Sequence, residues 1–199
     1  MDRDTALLNA AKRMDQDAIV CIFDLYSSSL FNYALRLCGD PVMADQIVGD
    51  VFAKLLDGLS AGRGPQSNLR SYLFEITYHQ IVDEARYSKR RATLEVADTL
   101  RQDAHSAILS LDEEVLFKQV LNVLQHDLTD DQRHVIVLRF LEGFSLRETA
   151  DIIDKSVGHV KVIQNRAIVA LRKSLVLGGK TKPRALPKIR EFSKASGIS

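Results

Sequence analysis

His159, Lys161, Val162, Asn165, Arg166 and Lys173 recur on one side of a helical repeat whose other side is Val160, Ile163, Ala167, Ala170 and Leu171. A helix divided this way buries its apolar stripe and turns cations, an amide and an imidazole outward. Those groups read base edges in the major groove of DNA. Arg166 or Lys161 matches the paired acceptors of guanine, and Asn165 matches the donor and acceptor of adenine.

A second set lies along residues 68–91: Asn68, Arg70, Ser71, Tyr72, Tyr78, His79, Arg86, Lys89, Arg90 and Arg91. Aromatics stack on unpaired bases while arginines and lysines follow the phosphates, the chemistry that holds single-stranded DNA. Tyr72 reads as partly core rather than a pure stacking platform. His79 and Asp83, one helical turn apart, are the nearest thing to a metal or acid–base pair, but two ligands make no site. Nowhere does a nucleophile stand with a base, a metal-ligand cluster form, or a glycine-rich loop offer to cradle phosphate, so no catalytic residue, metal or cofactor is expected. Cys21 and Cys38 are too few and too separated for a disulfide framework, and read as reduced, partly buried thiols.

The elements that must position these groups are punctuated in the sequence. Thr129 precedes Gln132 by three residues and Ser145 precedes Glu148 by three, so each pair predicts a capping box and a helix start. The first of these helices carries Val135, Leu138 and Phe140 up to a break at Glu142-Gly143. The second carries Leu146, Thr149, Ala150 and Ile153 up to Asp154, and the third begins near Ser156. A short helix, a tight turn and a longer helix with a basic outer face is the helix-turn-helix arrangement. Arg133, Arg139 and Arg147 read as backbone contacts or intradomain ion pairs.

Upstream, the apolar positions from Leu7 to Leu37 predict two amphipathic helices closed by Cys38-Gly39-Asp40-Pro41. A third helix is expected from Val42 to Leu59 with Ile47, Val48, Val51, Phe52, Leu55 and Leu56 as its stripe. Asp45, Gln46, Asp50 and Lys54 flank that stripe, and Gly49 interrupts the helix at a cost of about 1 kcal/mol relative to Ala. Residues 60–67 form a loop, and a fourth helix is expected from Leu69 to Arg91. No segment alternates with period two, so the chain is expected to be all-α.

The net charge of +1 is unevenly spread. Residues 129–199 carry 14 Lys/Arg against 7 Asp/Glu, whereas residues 92–128 carry 2 against 7. The excess of cations therefore accompanies the helix-turn-helix and the tail, where phosphate would be neutralised. Residues 92–110 read as an acidic linker between two small helical domains, 1–91 and 111–177. Residues 178–199 read as a basic arm, either lying along DNA phosphates or forming a solvated end. No apolar run looks long enough to cross a membrane and no charged-then-apolar leader is apparent, so a soluble, cytoplasmic protein without membrane insertion is expected.

The tract from Asp112 through Leu128, Arg133, Leu138, Glu142-Gly143-Phe144-Ser145 and Glu148-Thr149-Ala150 to Ser156-Val157-Gly158-His159-Val160-Lys161 resembles the promoter-binding C-terminal domain of bacterial sigma factors, most closely the small extracytoplasmic-function class. Three N-terminal tracts resemble that family's other domain in the right order: Phe31 to Pro41, Asp45 to Phe52, and Arg70 to Ile76 followed by Arg86 to Arg91. A lone helix-turn-helix is a weak signal, but two unrelated segments in family order are a strong one.

The resemblance implies a transcription initiation factor, not an enzyme. Its partners would be core RNA polymerase (the β′ clamp helices and the β flap), promoter DNA and an anti-sigma factor, with expression under a stress or envelope signal. By the same resemblance, Asp45, Gln46, Asp50 and Lys54 dock the clamp helices, the set from Asn68 to Arg91 reads and melts the minus-ten element, and the set from His159 to Lys173 reads the minus-thirty-five element. Tyr72 stands where many members carry Trp, and Tyr78-His79 replaces a common Arg-Asn, which implies a shifted read-out. A mixed-charge solvated face is the plainer reading of Asp45 to Lys54. A free-standing helix-turn-helix regulator and a small helical enzyme are the alternatives to the family reading.

Overall fold

A computed structural model describes residues 3–94, 124 and 126–178. The expectations for the acidic linker beyond Leu94 and for the basic tail beyond Gly178 lie outside the described residues. Within them every regular element is helical.

Helix α1 spans Arg3–Ala11, α2 Gln16–Cys38, α3 Pro41–Ser60 and α4 Leu69–Leu94. Asp15 caps α2 by accepting from the Ala18 N–H at 3.0 Å, and Asp40 caps α3 by accepting from Val42 at 2.8 Å just before Pro41 at the first helical position. Gly39 ends α2 at φ 73°, a left-handed conformation that glycine adopts without the clash a Cβ would bring. The fourth helix runs three residues past the expected Arg91, because Ala92-Thr93-Leu94 contains nothing to stop it.

Leu30, Tyr33 and Ala34 of α2, Val51 and Leu55 of α3, and Leu73 and Phe74 of α4 are buried together in the centre of this unit. By length and composition α2 does meet a membrane-span criterion, with a window hydropathy of 1.4, which corrects the expectation that no apolar run was long enough. In the fold it is a core helix, packed against α1, α3 and α4.

In the C-terminal unit α5, Asp130–Ile136, continues without a break into a π-helical turn, Val137–Leu141. Helix α6 spans Leu146–Ile152 and α7 spans Val157–Gly178. Both predicted capping boxes are present: Thr129 with Gln132, and Ser145 with Glu148. The π turn was not foreseen. Its extra residue lets the Glu142 N–H donate to Val137 at 2.9 Å, five residues back, and rotates Phe140 and Leu141 outward to 50% and 48% exposure. Phe140, expected on the buried stripe, is therefore at the surface, and Phe144 takes the interior position at 1% exposure.

Gly143 follows at φ 74°, reversing the chain so that Ser145 can cap α6. The two units pack on each other, α2 against α5 and the π turn, and α4 against α6.

Candidate nucleic-acid interface

Helix α7 presents its predicted face intact. Val160, Ile163 and Ala167 are buried, and His159, Lys161, Val162, Asn165, Arg166 and Lys173 are all exposed along one arc. Ser156 starts the helix by accepting from the His159 N–H at 3.2 Å. Arg139 is not on this face: it donates to the Phe144 carbonyl and, at 3.2 Å, to Gln164, fixing the π turn to α7. Arg133 pairs with Asp130 within α5. Arg133 thus forms an intradomain ion pair, and Arg139 ties its unit together through uncharged acceptors.

On α3 the exposed side carries Asp45, Gln46, Asp50 and Lys54 together. Gly49 lies among them with nothing within 4 Å of where a Cβ would stand, so no neighbour inside the chain requires its smallness. Asp50 lies 3.5 Å from the Gln80 amide of α4.

The α4 set is divided. Asn68, His79 and Arg86 are exposed, Arg70, Ser71 and Tyr72 are half-buried, and Tyr78 is buried at 9% exposure. Lys89, Arg90 and Arg91 occupy the last turns of the helix. Asn68 precedes the helix at φ 51° and accepts from the Ser71 N–H at 3.2 Å. Arg86 pairs with Asp83 at 3.3 Å in a solvated contact that contributes little. Tyr72 is partly core, its hydroxyl lying near Gly58, and burial, then Glu75, raise its pKa. Cys21 and Cys38 are free and half-buried, and burial pushes the Cys38 thiol up to about 12, which leaves it unreactive.

What covers Tyr78 and Arg70 is the C-terminal unit, through residues that sequence reasoning did not single out. The Arg70 guanidinium lies 4.0 Å from the Phe144 ring centroid, donates to the Glu142 carbonyl and approaches the Glu142 carboxylate at 4.0 Å. Arg36 of α2 reaches the same carboxylate at 3.4 Å. Burial raises the Glu142 pKa even against these two arginines, so its desolvation outweighs their attraction. Phe144 stands edge-on to Phe74 with centroids 4.9 Å apart.

Deeper in the seam, the Tyr33 hydroxyl is 2.7 Å from His134 Nδ1, and Tyr78 lies edge-on to the same imidazole at 4.7 Å. Burial, then the neighbouring Arg133, lowers the His134 pKa to about 4, so the ring is neutral, and its Nδ1 shares a hydrogen bond with the Tyr33 hydroxyl. Burial raises the pKa of both tyrosines. At the seam's other end Glu148 of α6 is held below the usual carboxylate range by hydrogen bonds from Ser145, with Arg70 and Asn68 contributing. A cleft of about 290 Å³ remains between the units, floored by Leu37, Ile81 and Val82 and rimmed by Arg86, Asp130, Asp131 and Lys155.

Comparison with known proteins agrees with this geometry. The Sigma-70 region 2 family matches residues 22–91, and the Sigma-70 region 4 family matches residues 126–173. The ECF RNA polymerase sigma factor SigX of Bacillus subtilis is 27% identical over 167 residues, 81% of this chain and 86% of the relative. EcfG, an ECF RNA polymerase sigma factor of Rhodopseudomonas palustris, is 32% identical over 157 residues, 76% of this chain and 81% of the relative. Among solved structures, the sigma factor RpoE in complex with the anti-sigma factor NepR, from Bartonella quintana, aligns with a TM-score of 0.65 at 25% identity, covering 78% of this chain and 94% of that one. With both regions matched in order, one on each of two packed helical units, this chain belongs to the ECF class of RNA polymerase sigma factors.

Proposed function

We propose that this sigma factor, which binds core RNA polymerase and promoter DNA and is not itself an enzyme, divides the work among three helix faces. The outer face of α7 reads the minus-thirty-five element in duplex form through His159, Lys161, Val162, Asn165 and Arg166, with Lys173 on phosphate. The exposed side of α4, with Asn68, holds the melted minus-ten strand. The Asp45-to-Lys54 face of α3 docks the β′ clamp helices, and the C-terminal unit, residues 111–177 by the sequence reading, meets the β flap.

The observation that carries this reading is the α7 arc: His159, Lys161, Val162, Asn165, Arg166 and Lys173, all exposed, on the second helix of a helix-turn-helix. A free-standing helix-turn-helix regulator would need no region 2 unit, and 22–91 matches one. Sigma factors are soluble transcription factors, and we place this one in the cytoplasm, answering a stress or envelope signal. The complex of RpoE with NepR supports an anti-sigma factor as a third partner. Asp50→Arg tests the docking face: core polymerase should be retained poorly in a pull-down while helicity by circular dichroism is unchanged. Full retention would remove α3 from the assignment.

A further inference from the structure

The first turns of α7 turn hydrogen-bonding groups outward, His159, Lys161, Asn165 and Arg166, and Val162 stands among them at 45% exposure. A valine can neither donate nor accept a hydrogen bond. Of the groups that base pairs present in the major groove, the C5-methyl of thymine is the one that offers an apolar contact.

The other exposed valines of this helix stand elsewhere. Val157 is the first residue of α7, and five residues of helical rotation put it about 140° round from Val162. Val169 lies on nearly the same line as Val162 but seven residues on, roughly 10 Å further along the axis. That is past the N-terminal turns that meet base edges.

Two features suit Val162 to a thymine methyl. Its branched β-carbon leaves one strongly preferred χ1 in a helix, so its methyls are already held in place, whereas Lys161 and Arg166 must order long chains to make a contact. It is also short, so the helix backbone has to come close to the base edges before those methyls can touch anything. Gly158 stands one turn earlier on the same line, exposed, with nothing within 4 Å of where a Cβ would be. No neighbour among the described residues requires that smallness. A backbone brought down against a ligand does.

We propose that Val162 is a specificity residue that reads the C5-methyl of a thymine in the minus-thirty-five element, with Gly158 clearing the approach. The proposal rests on α7 being the duplex-reading helix. Four residues carry the helix roughly 6 Å, about two base-pair steps at ~3.4 Å each. The thymine therefore lies within about two pairs of the base that Arg166 reads.

The test uses holoenzyme reconstituted from the full chain and core polymerase to select duplexes from a pool randomised in the upstream element. Each thymine of the selected element is then replaced in turn by deoxyuridine, which pairs alike and lacks only the methyl. At one thymine, within about two pairs of the position that Arg166→Ala relaxes, affinity should fall about fourfold, the worth of one apolar carbon taken out of water. Val162→Ala should bind the thymine and deoxyuridine duplexes nearly equally. Gly158→Leu, which holds the backbone off, should do the same, and Val169→Ala should keep the fourfold difference. A 5-methylcytosine–guanine pair placed at that position should bind more tightly than the unmethylated pair, and only while Val162 is present. Circular dichroism confirms that each variant is folded.

A selected element with no methyl-sensitive thymine, or with one whose sensitivity survives in Val162→Ala, overturns the thymine assignment and leaves α7 as the reader of the upstream element. If the selection returns no preferred upstream sequence at all, the reading of α7 falls and the assignment of Val162 with it.

Discussion

The faces of α7 and α4 were assigned by the same kind of argument, yet the fold treats them oppositely. Every base-facing candidate on α7 is exposed, whereas on α4 Tyr78 is buried and Arg70, Ser71 and Tyr72 are half-buried. The difference follows from their chemistry. A face of Lys, Arg, Asn and His is well solvated and needs no cover. An aromatic surface left uncovered costs hydrophobic free energy, and the nearest aromatic partner takes it. Helical period decides which residues share a face. What comes to lie on that face is decided by the rest of the chain.

The largest effect that would break this contrast comes from truncating one apolar side chain on each side of it. Phe144→Ala should cost about 3–5 kcal/mol in denaturant unfolding, because Phe144 is fully enclosed between Phe74, Arg70 and its own unit. Val162→Ala on the α7 arc should cost under about 0.5 kcal/mol. Similar losses would mean that α7 is not the free face.

Acid should act on the covered side. His134 is enclosed by Tyr33 and Tyr78 from the N-terminal unit and by Arg133, Asp130, Asp131 and Lys155 from its own. Its pKa is lowered to about 4, so the stability it contributes is present above the ordinary histidine value of 6.5 and is lost as pH falls from 6.5 through 4, by up to about 3 kcal/mol. The raised Glu142 pKa works in the opposite direction, since its protonation favours the buried state. Urea midpoints measured across that range for the parent and for His134→Phe should show the drop shrinking in the variant, which has no imidazole to charge. A flat profile in the parent would remove His134 from the seam.

On the open side, Arg166→Ala should lose about 1–3 kcal/mol of duplex affinity with preference relaxed at a single base position, measured across single-base variants at fixed salt. A loss spread evenly over all variants would make Arg166 a phosphate contact and leave α7 with less of the read-out.

Most of the fold was legible from local signals. Two capping boxes and the Gly39 stop are decided by a few neighbouring residues, so their chemistry fixes them before any packing, whereas Asp40-Pro41, read as part of that stop, proves to be the capped start of α3. The α7 face was legible because Val160, Ile163 and Ala167 leave only one arc for water. The π turn was not, since nothing in Val137 to Leu141 announces an extra residue, and it is held by Arg139 reaching Phe144 and Gln164. The seam was not legible either. Tyr33 and His134 are 101 residues apart, and Arg36 and Glu142 are 106 apart, so no window of sequence contains both partners. Tyr78 looked like a surface aromatic only because its cover comes from the other half of the chain.

We propose that one chain reads two separated promoter elements for core polymerase, one through α7 and one through α4. Run-off transcription with reconstituted polymerase on a randomised promoter library tests it most directly. Active promoters should share two elements at fixed spacing, Arg166→Ala should relax one position of the upstream element only, and Tyr78→Ala should impair transcription at the downstream element. Transcripts that depend on a single element, or none above polymerase alone, would contradict it.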